Sequence, residues 1–191
     1  MTLLPLIVLG VLLALAVWND LRTRRIPNTL VFGGALVGLL LNGVLPAGAG
    51  LFIEPFGAIG FLGALAGWGV GLALLLPMYA LRALGAGDVK MMAMVGAFVG
   101  AWPVAGITLL TLLAGGVLAL VVALFNGRLK LMVGNTVQMI KYSLIRSLAG
   151  EMAKVEAPAE ASGRLPYALA IAAGALPYLA FGAATGRSLF S

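Results

Sequence analysis

The fold of this chain is decided by one uncharged stretch, residues 91–127, which reads MMAMVGAFVGAWPVAGITLLTLLAGGVLALVVALFNG. As a single helix it would extend roughly 55 Å, whereas the hydrocarbon core of a bilayer is about 30 Å thick. The stretch must therefore fold back on itself. Trp102 and Pro103 mark the expected break, because proline cannot continue a hydrogen-bonded helix and tryptophan favours the membrane interface. The sequence thus predicts a short span over 89–101 and a longer one over 104–125.

The whole chain has the composition of a membrane protein. Of its 191 residues, 62% are hydrophobic and 9% are charged, and the mean hydropathy is +1.13. Soluble globular domains carry about 25% charged residues, so the composition excludes a cytosolic enzyme. We expect an all-α polytopic protein that forms one domain, 1–191, with the lipid bilayer as its surroundings. The predicted membrane spans, about six in number, cover residues 1–18, 29–45, 56–81, 89–101, 104–125 and 165–185.

Two residue types that carry much enzyme chemistry do not occur, because the chain has no cysteine and no histidine. Thiolate nucleophiles, disulfides, metals bound by cysteine or histidine, and serine–histidine–aspartate triads are therefore excluded. If the protein is an enzyme, carboxylates must do the acid–base work. We expect no cofactor and no metal.

The basic residues predict how the spans are threaded. With six alternating crossings, eleven of the twelve Lys and Arg residues fall on the cytoplasmic side and Arg187 falls on the other, which fits the positive-inside rule. The N-terminus is then outside, and the first span is a retained anchor with its C-terminal end in the cytoplasm. Since the net charge of +6 serves topology, we expect no nucleic-acid partner.

A long polar stretch, 126–164, separates the fifth and sixth spans. Within it, apolar residues recur at every third or fourth position from Leu129 to Leu148, a spacing that is typical of an interfacial amphipathic helix. A segment rich in Ala, Glu, Pro and Ser follows as far as Gly163. We expect the whole stretch on the cytoplasmic side.

The third predicted span contains a regular series of glycines, Gly63, Gly67 and Gly71. A glycine at every fourth position lies on one face of a helix and allows a neighbouring backbone to approach closely. Glycine is also simply frequent in membrane helices, and the sequence does not separate the two interpretations.

The chain contains two aspartates, and both are predicted at the cytoplasmic boundary of the bilayer. Asp20 follows the first span and Asp88 precedes the fourth, so the threading allows them to meet. Ionisable groups at this depth are costly unless they pair or line a wet cavity. Each also has a structural alternative: Asp20 can cap a helix end or pair with Arg24, and Asp88 can be the N-cap of the fourth helix.

Two carboxylates in one site suit the hydrolysis of a peptide bond. Because like charges about 3 Å apart resist simultaneous ionisation, the pair shares one proton. The ionised carboxylate takes a proton from water, and the protonated one polarises the scissile carbonyl. Gly85 and Gly87, which precede Asp88, permit close approaches that suit an extended substrate strand.

At these residues the chain resembles the type IV prepilin peptidases, the bacterial branch of the GxGD aspartyl intramembrane proteases. Segments 20–28 (DLRTRRIPN) and 85–90 (GAGDVK) are similar to the two aspartate motifs of that family, and segment 164–174 (RLPYALAIAAG) to its last membrane segment. The resemblance implies a peptidase of the bacterial cytoplasmic (inner) membrane. Its catalytic pair, Asp20 and Asp88, would remove the basic leader from a prepilin or pseudopilin substrate at the cytoplasmic face.

The same resemblance puts Pro27, Asn28, Gly85, Gly87 and Lys90 at motif positions. Gly85 and Gly87 are expected to shape the loop, Pro27 to start the second helix, and Lys90 to be an anchor that snorkels to the interface. Long members of the family carry a cysteine-containing insert and also methylate the new N-terminus. This chain has neither the insert nor a cysteine, so it resembles the short peptidases of tight-adherence, Flp-type pili, and methyltransferase activity is not expected.

Two other functions remain open on the sequence. A small proton- or cation-coupled transporter would use the two aspartates for ion passage, although transporters usually hold such acids near the midplane and often contain internal repeats. A non-catalytic assembly or scaffold protein would leave both acids merely interfacial and give the glycine-rich loop no role.

Overall fold

A computed structural model describes residues 4–44, 59–80, 83–127 and 166–185, together with seven helical residues between 129 and 141. Every regular element in these ranges is a helix, which confirms the predicted all-α fold. Four of the helices are long and apolar enough to cross a membrane, so the chain fits a multi-pass membrane protein. The helices are α1 (Leu4–Thr23), α2 (Asn28–Val44), α3 (Gly60–Ala80), α4 (Ala86–Val99), α5 (Ala101–Phe125) and α6 (Tyr167–Thr185).

The chain divides into two compact units. The first contains Met1–Gly115 and Pro166–Ser191, and it carries both aspartates. The second is Gly116–Leu165, in which the described residues between 129 and 141 are helical. The remainder of the predicted interfacial helix and the Glu-containing segment up to Gly163 lie outside the described residues, and the single domain stays a prediction.

The short helix α4 is the most deeply buried helix of the first unit. Every residue from Met91 to Val99 is buried, and α4 packs against α1, α2, α3 and α6. Its 14 residues extend about 21 Å, which is less than the thickness of the hydrocarbon core. A helix enclosed by other helices does not need the length of a lipid-facing span, and this explains the short fourth segment.

The break predicted at Trp102 and Pro103 is wrong by two residues. The chain turns at Gly100, whose φ of 89° is a conformation that favours glycine. Because α5 begins at Ala101, Trp102 and Pro103 lie in its first turn. There the missing N–H of proline leaves no helical hydrogen bond unmade, and Trp102 is 72% exposed.

Glycines bring α3 and α4 into backbone contact. A Cβ on Gly67 would meet the backbone of Gly96, and a Cβ on Gly96 would meet the backbone of Gly67. Gly71 lies against the backbone of α4 in the same way. Of the two interpretations of the glycine series, close packing therefore holds for Gly67 and Gly71, whereas a Cβ on Gly63 would meet the neighbouring Ile59 instead.

A buried amide fixes the far end of α4. Asn42 of α2 donates from Nδ2 to the carbonyl oxygens of Ala97 and Phe98, at 3.0 and 3.3 Å, and to Gly38 of its own helix at 3.0 Å. The carbonyls of the last helical turn have no partner within the helix. Asn42 therefore satisfies groups that would otherwise be buried without a hydrogen bond, and it ties α2 to α4.

We expect Gly67→Ala to lower the free energy of unfolding by about 2 kcal/mol or more, because the added Cβ must push the backbone of α4 away. Thermal unfolding in detergent micelles measures the effect. Gly69→Ala is the matched control, since nothing lies within 4 Å of the position of its Cβ and alanine is the better helix former. Equal unfolding temperatures in the two variants would contradict the backbone contact.

Candidate active site

Asp20 lies in the last turn of α1, because the helix continues to Thr23 and does not end at residue 18. The side chain is 7% exposed. Just beyond the helix, Arg24 adopts a φ of 53°, and its N–H donates to the carbonyl of Asp20 at 2.9 Å. A residue in this left-handed conformation is a common end for a helix, and it turns the chain towards α2.

The Asp20 carboxylate is held by the beginning of α6. Its Oδ2 accepts a hydrogen bond from the backbone N–H of Ala168 at 3.2 Å. Ala168 is the second residue of α6, and the first N–H groups of a helix have no helical acceptor and carry partial positive charge. The contact satisfies that donor and offsets part of the cost of burying a carboxylate.

Asp88 lies in the first turn of α4, as its third residue and not as the N-cap. Its Oδ2 accepts a hydrogen bond from the backbone N–H of Gly85 at 3.0 Å, and its own N–H donates to the carbonyl of Gly85 at 3.2 Å. An acid at the third helical position often closes the first turn in this way. The carboxylate is thereby fixed against the loop that precedes it.

The charge of Asp20 reaches Asp88. Burial raises the pKa of Asp88 to about 6 from the ordinary 3.8, the Gly85 N–H opposes this rise, and the negative charge of Asp20 adds to it. Burial disfavours the ionised carboxylate, and a neighbouring negative charge does the same. The structure therefore brings the two acids that the sequence singles out close enough for the charge of Asp20 to act on Asp88.

Gly85 and Gly87 both serve close contacts within the protein. A Cβ on Gly85 would lie 3.2 Å from Oδ2 of Asp88, and a Cβ on Gly87 would lie 3.3 Å from Cβ of Ile26. Gly85 thus leaves room for the carboxylate to fold back on its own loop, and Gly87 lets the α1–α2 loop approach α4. The substrate-binding role expected of the two glycines stays a prediction.

Lys90 joins α4 to the start of α2. Its Nζ donates to Oδ1 of Asn28 at 2.9 Å and lies 5.2 Å from the centre of the Phe32 ring. Pro27 precedes α2 as predicted, and its carbonyl accepts a hydrogen bond from Val31 at 3.3 Å. The interpretation of Lys90 as an interface anchor does not include its bond to Asn28, because that bond depends on how α2 and α4 pack.

The contribution of α6 to this site is not evident from the sequence. Tyr167, the first residue of α6, lies close enough to Asp88 for the two to interact electrostatically. Because Ala168 binds Asp20, the first turn of α6 reaches both acids. The one signal in the sequence is that Tyr167 falls inside segment 164–174, which resembles the last membrane segment of the prepilin peptidases.

A comparison with known protein families identifies the family of this chain. The family model described as "Type IV leader peptidase family" matches residues 7–123, which is more than half of the chain. The chain belongs to this family. The matched residues of the leader peptidase include both aspartates and Lys90, and they end before α6. No curated protein and no solved structure matches the chain.

The charge interaction in the leader peptidase has a measurable consequence. We expect Asp88 to titrate near pH 6 and Asp20→Asn to lower its pKa, because the substitution removes the negative charge that disfavours ionisation. Infrared difference spectra of the protonated carboxyl band measure the titration, and Asp88→Asn identifies the band. An unchanged titration of Asp88 in Asp20→Asn would show that the carboxylates do not interact.

The bond between Lys90 and Asn28 predicts coupled effects on stability. We expect Lys90→Met and Asn28→Ala each to cost about 1–2 kcal/mol, and the double variant to be little less stable than either, because both remove one bond. Thermal unfolding provides the values. Asn19→Ala is the control, because its amide bonds to Leu15 of its own helix and its loss should simply add to that of Lys90→Met. Additive losses in the double variant of Lys90 and Asn28 would rule out the coupling.

Proposed function

We propose that this leader peptidase is an intramembrane aspartyl endopeptidase that cleaves the basic leader from prepilin-like proteins at the cytoplasmic face of the bacterial inner membrane. The observation that carries the proposal is the acid pair. The negative charge of Asp20 from α1 reaches Asp88 from α4, and Asp20 is buried. Membership of the family gives the reaction class, and the pair offers the groups that this reaction needs.

The contacts support different roles for the two acids. The N-terminal end of α6 faces Oδ2 of Asp20 and favours negative charge there, so we assign Asp20 as the base. Burial favours the neutral form of Asp88, which suits the acid that donates a proton to the scissile carbonyl. In each carboxylate, Oδ2 accepts a hydrogen bond from the backbone N–H of another residue. The proposed mechanism therefore uses Oδ1 of each carboxylate.

The proposed hydrolysis conserves both protons. Asp20 takes a proton from water as the water oxygen attacks the carbonyl carbon, and Asp88 transfers its proton to the carbonyl oxygen. The resulting diol collapses when Asp20 gives its proton to the leaving nitrogen and a diol hydroxyl returns a proton to Asp88. The C–N bond breaks, a carboxyl and an amine product form, and both acids regain their starting states.

The position of the pair suits a substrate with a basic leader followed by an apolar helix. The predicted threading puts both acids where the hydrocarbon core meets the cytoplasm, so a bound prepilin helix would present the junction with its leader at the same depth. The absence of cysteine in the chain and of the long members' insert supports a peptidase without methyltransferase activity. By the same resemblance, subunits of Flp-type pili are the proposed substrates.

Co-expression with a prepilin tests the proposal. We expect Asp20→Asn and Asp88→Asn each to reduce processing by at least about 100-fold, because each keeps the size of the side chain and removes the proton-transferring group. Immunoblots follow the loss of the leader, and membrane fractions show that the variants insert normally. Glu54→Gln is the matched control, since it removes a carboxylate that the threading predicts on the opposite side of the membrane.

Normal processing by either asparagine variant would contradict the assignment of the pair. Accessibility labelling that puts residues 20 and 88 on opposite sides of the membrane would do the same. A purified protein that never cleaves prepilin, but conducts protons or cations in proteoliposomes through a path blocked by both variants, would favour the transporter.

A further inference from the structure

The proposed hydrolysis leaves Tyr167 without a role, although it begins the helix that holds Asp20. The family match ends at residue 123, so α6 lies outside the region by which the chain is recognised. Its first turn nevertheless reaches both acids, through the N–H of Ala168 and through Tyr167 itself. The contacts of this turn therefore indicate its function.

The ring of Tyr167 packs against Gly115 of α5. A Cβ on Gly115 would lie 2.8 Å from Cε2 and 3.0 Å from the hydroxyl oxygen of Tyr167. The ring is thus packed directly on backbone, with its hydroxyl end at the glycine. The next residue along α6, Ala168, donates its N–H to Asp20 at 3.2 Å, and the charge of Asp88 reaches the phenol, so Tyr167 lies beside the acid pair.

The charge on Asp88 changes during the proposed reaction. Asp88 starts neutral and becomes a carboxylate when its proton moves to the scissile carbonyl. A carboxylate that forms in a partly buried position is costly unless hydrogen-bond donors face it. The Gly85 N–H supplies one donor, and a phenol hydroxyl is a second donor of a kind that stabilises carboxylates.

We propose that Tyr167 is a positioning residue of the acid pair, whose hydroxyl donates a hydrogen bond to Asp88 once Asp88 has transferred its proton. The inference rests on the proposed function. This bond is stronger in the transition state than with bound substrate, so it raises kcat and leaves substrate affinity nearly unchanged. The first turn of α6 then serves both acids: Ala168 holds the base, and Tyr167 stabilises the acid in its charged form.

Tyr167→Phe tests the inference, because it keeps the ring and removes only the hydroxyl. The full-length protein is reconstituted in liposomes, and the probe is a synthetic peptide with a Lys-rich leader joined to an apolar helix of about 20 residues. We expect kcat to fall roughly 10- to 100-fold, the loss of one hydrogen bond to a charged group. KM should change little.

The pH profile separates this role from packing. A donor that favours ionised Asp88 lowers its apparent pKa, so removal of the donor raises that pKa. Since the reaction needs protonated Asp88, the alkaline limb of kcat/KM should move to higher pH in Tyr167→Phe. Within the described part of the chain, Asp20 is the titratable group whose charge acts on Asp88, and Tyr167 is a titratable group on which Asp88 acts.

Gly115→Ala is a second variant, which retains the tyrosine and disturbs its position. The new methyl group displaces the ring, so kcat should fall, and adding this substitution to Tyr167→Phe should cost little more. Gly116→Ala is the matched control, because nothing lies within 4 Å of the position of its Cβ. We expect it to cleave the peptide at the rate of the parent protein.

An unchanged kcat and pH profile in Tyr167→Phe would overturn the inference. A lower kcat with an unmoved alkaline limb would also overturn it, because the hydroxyl would then serve packing alone. If the parent protein cleaves neither this peptide nor a prepilin, the proposed function fails instead. Cleavage by the parent protein thus distinguishes the two failures.

Discussion

The position of Asp88 depends on how α4 is held between its neighbours. Backbone contact at Gly67 and Gly96 sets α4 against α3, and Asn42 binds its last carbonyls. At the other end, Lys90 reaches Asn28 at the start of α2. These contacts come from two other helices and act towards both ends of α4, so they determine where the acid in its first turn lies.

Both acids lie at the ends of helices. Asp20 lies in the last turn of α1, where the partial negative charge of the helix disfavours a carboxylate. The beginning of α6 brings the opposite end of a helix to the same group through Ala168. Asp88, in contrast, lies at the favourable end of its own helix, and partial burial raises its pKa. The two acids therefore differ in surroundings although they are chemically identical.

Hydropathy and the distribution of basic residues were sufficient to predict the all-α fold and six helices close to their observed bounds. They also predicted that Asp20 and Asp88 lie on the same side of the membrane, because the number of crossings between them follows from the same pattern. The turn at Gly100 was missed because proline is the stronger break signal in a sequence, yet it is tolerated in the first turn of α5. Nothing in a chain with 27 glycines marks the one that adopts a positive φ at this turn.

The contacts that complete the site were beyond the sequence for a different reason. The bond from Lys90 to Asn28 and the approach of Tyr167 to Asp88 depend on which helices are neighbours and on their rotation. Apolar periodicity in a bilayer carries little of this information, because lipid-facing and protein-facing positions are both apolar.

Both carboxylates are anchored by main-chain donors, at Gly85 and Ala168. Exchanging a side chain leaves an amide hydrogen where it is, and proline alone among the amino acids lacks one. In a mutational scan, most substitutions at these two positions would therefore change only the size of the side chain. Proline alone would remove the hydrogen bond to the carboxylate. A mutational scan that omits proline would thus fail to detect these hydrogen bonds.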